Sequence, residues 1–227
     1  MEKIIITATA ESIEQVEQLL EAGVDRIYVG EKDFGLRLPT TFSYDQLREI
    51  ANLVHDTGKE LIVAVNALMH QDMMDRIKPF LDFLEEIKTD YITIGDAGVF
   101  YVVNRDGYSF KTIYDASTMV TSSRQINFWG QKAGASEAVL AREIPLLNSS
   151  KCQRFWKFLL KFWFTELALS IILNVHSCKT TITLRISMMK RLASVTSSWL
   201  SQVTLRAITP FLKTIMEPTS LPTMTLI

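Results

Sequence analysis

At 227 residues the chain is long enough for one large α/β domain, and a hydrophobic content of 48% supplies a sizeable core. A net charge of −1 gives no global argument for a nucleic-acid or acidic partner, and the two cysteines, Cys152 and Cys178, make neither a disulfide framework nor a metal set. The opening MEKIIITATAES carries no long apolar stretch and no cleavage-like site, so no signal peptide is expected and the cytoplasm is the expected location.

In chain order, KIIITA (3–8) is a short β-branched run and reads as a first strand. Ser12 stands at an N-cap with Gln15 in the capping-box position; Val16, Leu19 and Leu20 follow at helical spacing, and Gly23 stops that helix. RIYVG (26–30) is a second strand. A helix from about Ser43 to Gly58 carries Leu47, Ile50, Ala51 and Val54 on one face. ELIVAVNAL (60–68) is the third strand and 71–88 the next helix. YITIGD (91–96) is a strand, about 97–105 a short helix, KTIYDAS (111–117) a strand, 122–134 a helix ending at Gly134, and EAVLA (137–141) a sixth strand.

Six strands alternating with five helices, each strand a continuous Ile/Val-rich run, imply a parallel sheet covered on both faces. The first strand lacks a following glycine-rich GxGxxG turn, which favours a barrel over an open dinucleotide-binding sheet. The expected fold class is therefore α/β, a TIM-like parallel (β/α) barrel, incomplete at about six strands. Two more strands are needed to close it.

The composition breaks where those strands belong. Residues 1–146 hold 23 of the 25 acids against 14 Lys/Arg, whereas residues 147–227 hold 2 acids against 10 Lys/Arg. All 9 glycines and all 6 tyrosines precede residue 147, and no aspartate follows it. A tract without glycine lacks the usual means of ending helices and turning hairpins. The reading is a partial barrel domain over 1–146 and a non-native tail over 147–227, poorly ordered or aberrantly helical.

In parallel β/α folds chemistry gathers at the C-terminal ends of the strands. There stand Glu31 and the loop KDFGLRLPTTF with Arg37, then Asn66 and His70, Asp96, Asp115 to Thr118, and Arg142 with Glu143. Glu31, Arg37, Asn66, Asp96, Arg142 and Glu143 are the candidate catalytic set, able together to bind an anionic substrate and move a proton. Each also has a plainer role open to it. Arg37 and Glu143 can be ion-pair partners, Asp96 a helix N-cap, Asn66 a loop staple, and His55, late in an amphipathic helix, a structural residue.

VGEKDFGLRL, GKELIVAVNALMH, the IGDAGV turn, DASTMVTSS and VLAREIP occur in the order and spacing of the collagenase-like peptidases, peptidase family U32. Over 1–146 the chain resembles most the branch tied to 5-hydroxyuridine formation at the tRNA wobble position. The resemblance implies a barrel-like fold, prephenate-dependent tRNA hydroxylation, tRNA as a partner, and two related subunits working together. A peptidase and a non-catalytic partner of a paralogous subunit remain alternatives. No Ser/His/Asp or Cys/His arrangement is visible to support peptide hydrolysis. The opening TATAES departs from the PAG-type turn of many members.

The family continues with a strand, a Gly turn and an SKR motif, none of which the tail shows. A shifted reading frame accounts for this: Phe162–Thr183 can be encoded so that, from the third base, it reads LVYGASIIHHSKRPLLQNYYN. Many relatives carry cysteines near this motif that look like iron–sulfur ligands. The shifted reading has Ser and Ile there, so no cluster is expected at that place. With six strands and a foreign tail, the first and last strands are expected to expose unpaired edges and the product to be impaired. A membrane span over 155–177 is interrupted by Lys157, Lys161 and Glu166 and is too short for a hydrocarbon core of ~30 Å. A basic amphipathic helix or a genuine second domain are the other readings of the tail.

Overall fold

The strands form where the β-branched runs lie, and the helices where apolar residues recur every three to four positions. The structure, a computed structural model, describes residues 5–115, 122–139, 159–164 and 169–173, all within the unit Ile5–Leu173. Its elements are β1 (Ile5–Thr9), α1 (Ile13–Glu21), β2 (Arg26–Gly30), α2 (Tyr44–Asp56), β3 (Glu60–Val65), α3 (Gln71–Glu86), β4 (Tyr91–Ile94), α4 (Ala97–Asp106), β5 (Lys111–Asp115), α5 (Ser123–Ala133) and β6 (Glu137–Val139). β7 (Leu159–Phe164) and β8 (Leu169–Leu173) follow.

From β1 to β6 each strand pairs in parallel with the next, as expected, giving a curled half-barrel. Beyond it the structure departs from expectation. β7 pairs in parallel with β6, and β8 runs antiparallel to both β7 and β1, so the sheet closes in the order β1 to β8. The expected open edges at β1 and β6 are thus corrected: backbone groups of the second part of the chain occupy both. Composition could not show this, because ladder hydrogen bonds come from the backbone and are indifferent to side-chain identity. The expectation of a poorly ordered tail falls, apart from these two strands, outside the described residues.

The helices cover the outside. α2 buries Leu47, Ile50, Ala51 and Val54, an i, i+3, i+4, i+7 stripe, and α3 buries Ile77, Phe80, Leu81, Phe83 and Leu84. Fully burying one such side chain contributes about 1.5–3 kcal/mol. Ser43 and Gln46 make a complete capping box at α2. At α1 the box is shifted: Ser12 accepts from the Gln15 amide, but the Gln15 side chain accepts from the Glu11 N–H. α4 and α5 end at Gly107 and Gly134, whose φ angles of 74° and 72° are left-handed and favour glycine.

Inside the ring, Tyr28, Ile62, Ala64, Tyr91, Ile113 and Val139 form one buried cluster. Its N-terminal pole is ionic. Arg26, at the start of β2, bonds both carboxylate oxygens of Glu137 at 2.9 and 3.0 Å. β2 and β6 are not neighbours in the sheet, so this pair crosses the lumen. Arg26 also bonds Glu60 and stacks 4.1 Å from the Tyr91 ring centroid.

Candidate functional site

The opposite pole is the mouth, where the strands end and the long β2–α2 loop folds over the lumen. Three backbone bonds fix that loop: Gly35 N–H to Glu31 C=O (3.0 Å), Phe42 N–H to Gly30 C=O (3.0 Å) and Ala67 N–H to Phe34 C=O (3.0 Å). Leu38 packs down on the lumen cluster. It uses space that Gly30 leaves open, since a Cβ at Gly30 would lie 2.6 Å from the Leu38 Cδ1.

Asn66, just beyond β3, joins this loop to the barrel. Its Oδ1 accepts from the Leu36 N–H at 2.8 Å, and its Nδ2 donates to Asp115 Oδ2 at 2.7 Å. Asp115 closes β5, two strands away, so the bond passes over the end of β4. The residue there is Gly95, where a Cβ would stand 3.3 Å from the Asn66 carbonyl oxygen. Asp115 is only 9% exposed. Below it lies the Tyr28 phenol. Burial pushes this phenol well above its ordinary range and the charge of Asp115 pushes it further, while Thr93 and the positive charge of Arg37 act the other way. Arg37 is exposed and sits at φ 58°, a left-handed conformation that costs a non-glycine residue roughly 1–2 kcal/mol. Backbone strain of this kind is a feature of sites whose surroundings over-determine the geometry.

Of the sequence candidates, Asn66 bonds Asp115, and the charge of Arg37 acts on the Tyr28 phenol that Asp115 also acts on. Glu31 accepts from the Asp33 N–H at 2.7 Å and organises its own loop. Asp96 is the N-cap of α4, accepting from the Gly98 N–H at 2.6 Å, which is the plainer of its two expected roles. No hydrogen bond or ion pair joins Glu31 or Asp96 to the Asn66–Asp115 pair among the described residues. Arg142 and Glu143 lie outside the described residues. His55 bonds Asp90 at 3.1 Å and is structural, as expected. His70 is the N-cap residue of α3 but makes no capping bond through its side chain.

Tyr28 was hidden within RIYVG, which reads as a plain buried strand. The available signal was its register: it alternates with Arg26 and Gly30, so all three point to the same side of the sheet. Among the described residues no group of three or more His, Cys, Asp or Glu side chains is placed to hold a metal ion. No described helix is long and apolar enough to cross a membrane.

Parallel strands, an outer layer of helices and a polar cluster at the strands' C-terminal ends define a protein of the (β/α)-barrel class. Residues 11–154 match the family model described as Peptidase family U32, and the chain belongs to that family. It is similar to tRNA hydroxylation protein P2 of Bacillus subtilis (strain 168), with 33% identity over 146 residues, covering 64% of this chain and 47% of that protein. Similarity to tRNA hydroxylation protein P1 of the same organism is 22% over 144 residues, covering 63% of this chain and 34% of that protein. The chain thus spans about half the length, or less, of these curated relatives. The solved structure of a U32 peptidase superposes with a TM-score of 0.57 at 14% identity, over 69% of this chain and 66% of that one. That likeness shows the fold.

Proposed function

We propose that the intact form of this chain acts in RNA hydroxylation, as a prephenate-dependent enzyme forming 5-hydroxyuridine at the tRNA wobble position. The observation that carries the reading is the 33% identity to tRNA hydroxylation protein P2, which extends over 146 residues, 64% of this chain. The mouth suits the task. Arg37 offers an exposed guanidinium for a carboxylate co-substrate. Asp115, held by Asn66, offers a carboxylate to take or return a proton at the substrate. Related proteins numbered P1 and P2 support a paralogous subunit as partner, and a tRNA substrate supports a cytoplasmic location.

We further attribute residues 147–227 to a shifted reading frame. β8 runs antiparallel to both its neighbours, where a strand–helix–strand repeat would run parallel. Only residues 165–168 separate β7 from β8, far fewer than the dozen or so that a parallel crossover requires.

The test is mass spectrometry of tRNA nucleosides from a strain lacking the gene. Complementation with a frame-restored gene is expected to return the hydroxylated uridine, and the same gene with Asp115→Asn to return less than about a hundredth, the usual range for losing an acid–base group. An unchanged nucleoside profile in the deletion strain removes the proposal. Peptide hydrolysis has weaker support: among the described residues no Ser or Thr hydroxyl is hydrogen-bonded to a histidine.

A further inference from the structure

Residues 35–41 lie at the mouth between two buried aromatic anchors, Phe34 and Phe42. Phe34 stacks on Phe80 with ring centroids 4.5 Å apart, and its carbonyl accepts from the Ala67 N–H. The Phe42 N–H donates to the Gly30 carbonyl. Between these anchors no residue is buried. A stretch fixed at both ends that buries little in between opens locally at lower cost than the fold as a whole.

Three features give that stretch a task. Its Leu38 side chain packs on the lumen cluster, against residues that include Ala64 and Tyr28. Gly30 on β2 and Gly35 on the stretch itself both make room for it, since a Cβ on either would stand 2.6 Å from the Leu38 Cδ1. The Leu36 N–H donates to Asn66 Oδ1, and the Nδ2 of the same amide donates to Asp115, so one side chain holds both the loop and the carboxylate. Asp115 itself is nearly buried, and a group that trades a proton with a substrate has to be uncovered first.

We propose that residues 35–41 are a lid over the lumen, with Leu38 as its stopper and Asn66 as its latch. With the lid down, Leu38 fills the lumen mouth and the Asn66 amide fixes Asp115. With the lid up, Leu38 leaves the lumen, the Leu36 N–H leaves Asn66, and Asp115 opens to substrate. Phe34 and Phe42 stay in place as the two ends about which the segment swings. The coupling runs both ways, because the amide that loses either partner holds the other less firmly. The role of Asp115 rests on the hydroxylation reading above; the movement of the lid does not.

The experiment is amide hydrogen exchange followed by NMR on the full chain. The Leu36, Phe42 and Ala67 amides are bonded at 2.8, 3.0 and 3.0 Å, so bond length does not separate them. Leu36 is nevertheless expected to exchange about a hundredfold faster than the other two, through opening of the lid alone. Asp115→Ala touches neither Leu36 nor Leu38, yet is expected to speed Leu36 exchange about tenfold by loosening the latch, with Phe42 unchanged. A second readout reports access to the lumen. Ala64→Cys, in a chain also carrying Cys152→Ser and Cys178→Ser, places a thiol under Leu38. Adding Asn66→Ser, which keeps Leu38 in place, is expected to speed maleimide labelling of that thiol about tenfold. Exchange of Leu36 in step with Phe42 and Ala67, indifference of Leu36 to Asp115→Ala, or a labelling rate unmoved by Asn66→Ser each overturns the lid. None of these readouts involves RNA. An unchanged nucleoside profile in the deletion strain therefore removes the hydroxylation reading and leaves the lid, whereas a rigid loop removes the lid and leaves that reading.

Discussion

The most consequential single contact inside the ring is Arg26 with Glu137, both 2% exposed. Desolvating two charges is costly and their mutual attraction only repays it, so the pair adds little net stability while making either partner dangerous to lose. Glu137→Leu is therefore expected to cost about 3–5 kcal/mol in urea unfolding, because it strands a guanidinium in the lumen with Glu60 alone. Adding Arg26→Met should return most of that loss; a double variant as weak as the sum of the singles would show that no coupling exists. Tyr28 makes a different prediction. Its phenol titrates higher in the folded than in the unfolded chain because it is buried beside Asp115. The folded state then binds more protons once pH exceeds the ordinary phenol value of about 10, so stability is full below that pH and falls above it. One such group contributes a slope of up to about 1.4 kcal/mol per pH unit. Tyr28→Phe should flatten the alkaline limb of stability against pH by that amount. Some slope should persist, since burial also raises Tyr91 and Tyr114.

Among the elements, the loop between β2 and α2 shows where sequence reading succeeds and where it stops. β1 to β6 and α1 to α5 were legible because buried strands are continuous β-branched runs and the helices carry their own start and stop signals, Ser43 at the start of α2 and Gly134 after α5. The position of Arg37 and Asn66 at the strand ends was legible for the same reason. The partner of Asn66 was not. The Asn66–Asp115 bond spans 49 positions, and which carboxylate at the mouth receives the amide depends on barrel shear, which no local pattern encodes. Asp96 was ambiguous because an N-cap and a catalytic carboxylate occupy the same place after a strand. The left-handed backbone of Arg37 now separates stability from function. Arg37→Gly is expected to stabilise the fold by up to about 1 kcal/mol, since glycine adopts positive φ freely. The same change should reduce hydroxylation by removing the guanidinium. A variant both less stable and fully active would show that the strain has no bearing on the site.

For the molecule as a whole, the question is what closes the ring. LLKFWF and LSIIL lie in a tract with no glycine and a lysine inside the first strand, and nothing in their pattern announces a hairpin. The six-strand half-barrel nonetheless offers two rows of backbone donors and acceptors, and any extended segment of sufficient length can satisfy them. Closure by a hairpin is thus compatible with a tail of foreign origin: pairing needs a backbone, whereas a family barrel needs specific strands, helices and loops. Ile171 is the place to test it, because it pairs with Phe162 on one side and Ile6 on the other. Proline there removes the amide and a ladder hydrogen bond, and a strand paired on both edges does not accommodate it. Ile171→Pro is expected to lower the melting temperature and to speed hydrogen exchange of the β1 amides, which lose their partner strand. In a frame-restored chain that codon belongs to a different residue, and melting should be higher and more cooperative than in the present sequence. If Ile171→Pro leaves both melting and β1 exchange untouched, the hairpin does not hold the barrel shut, and β1 is an edge after all.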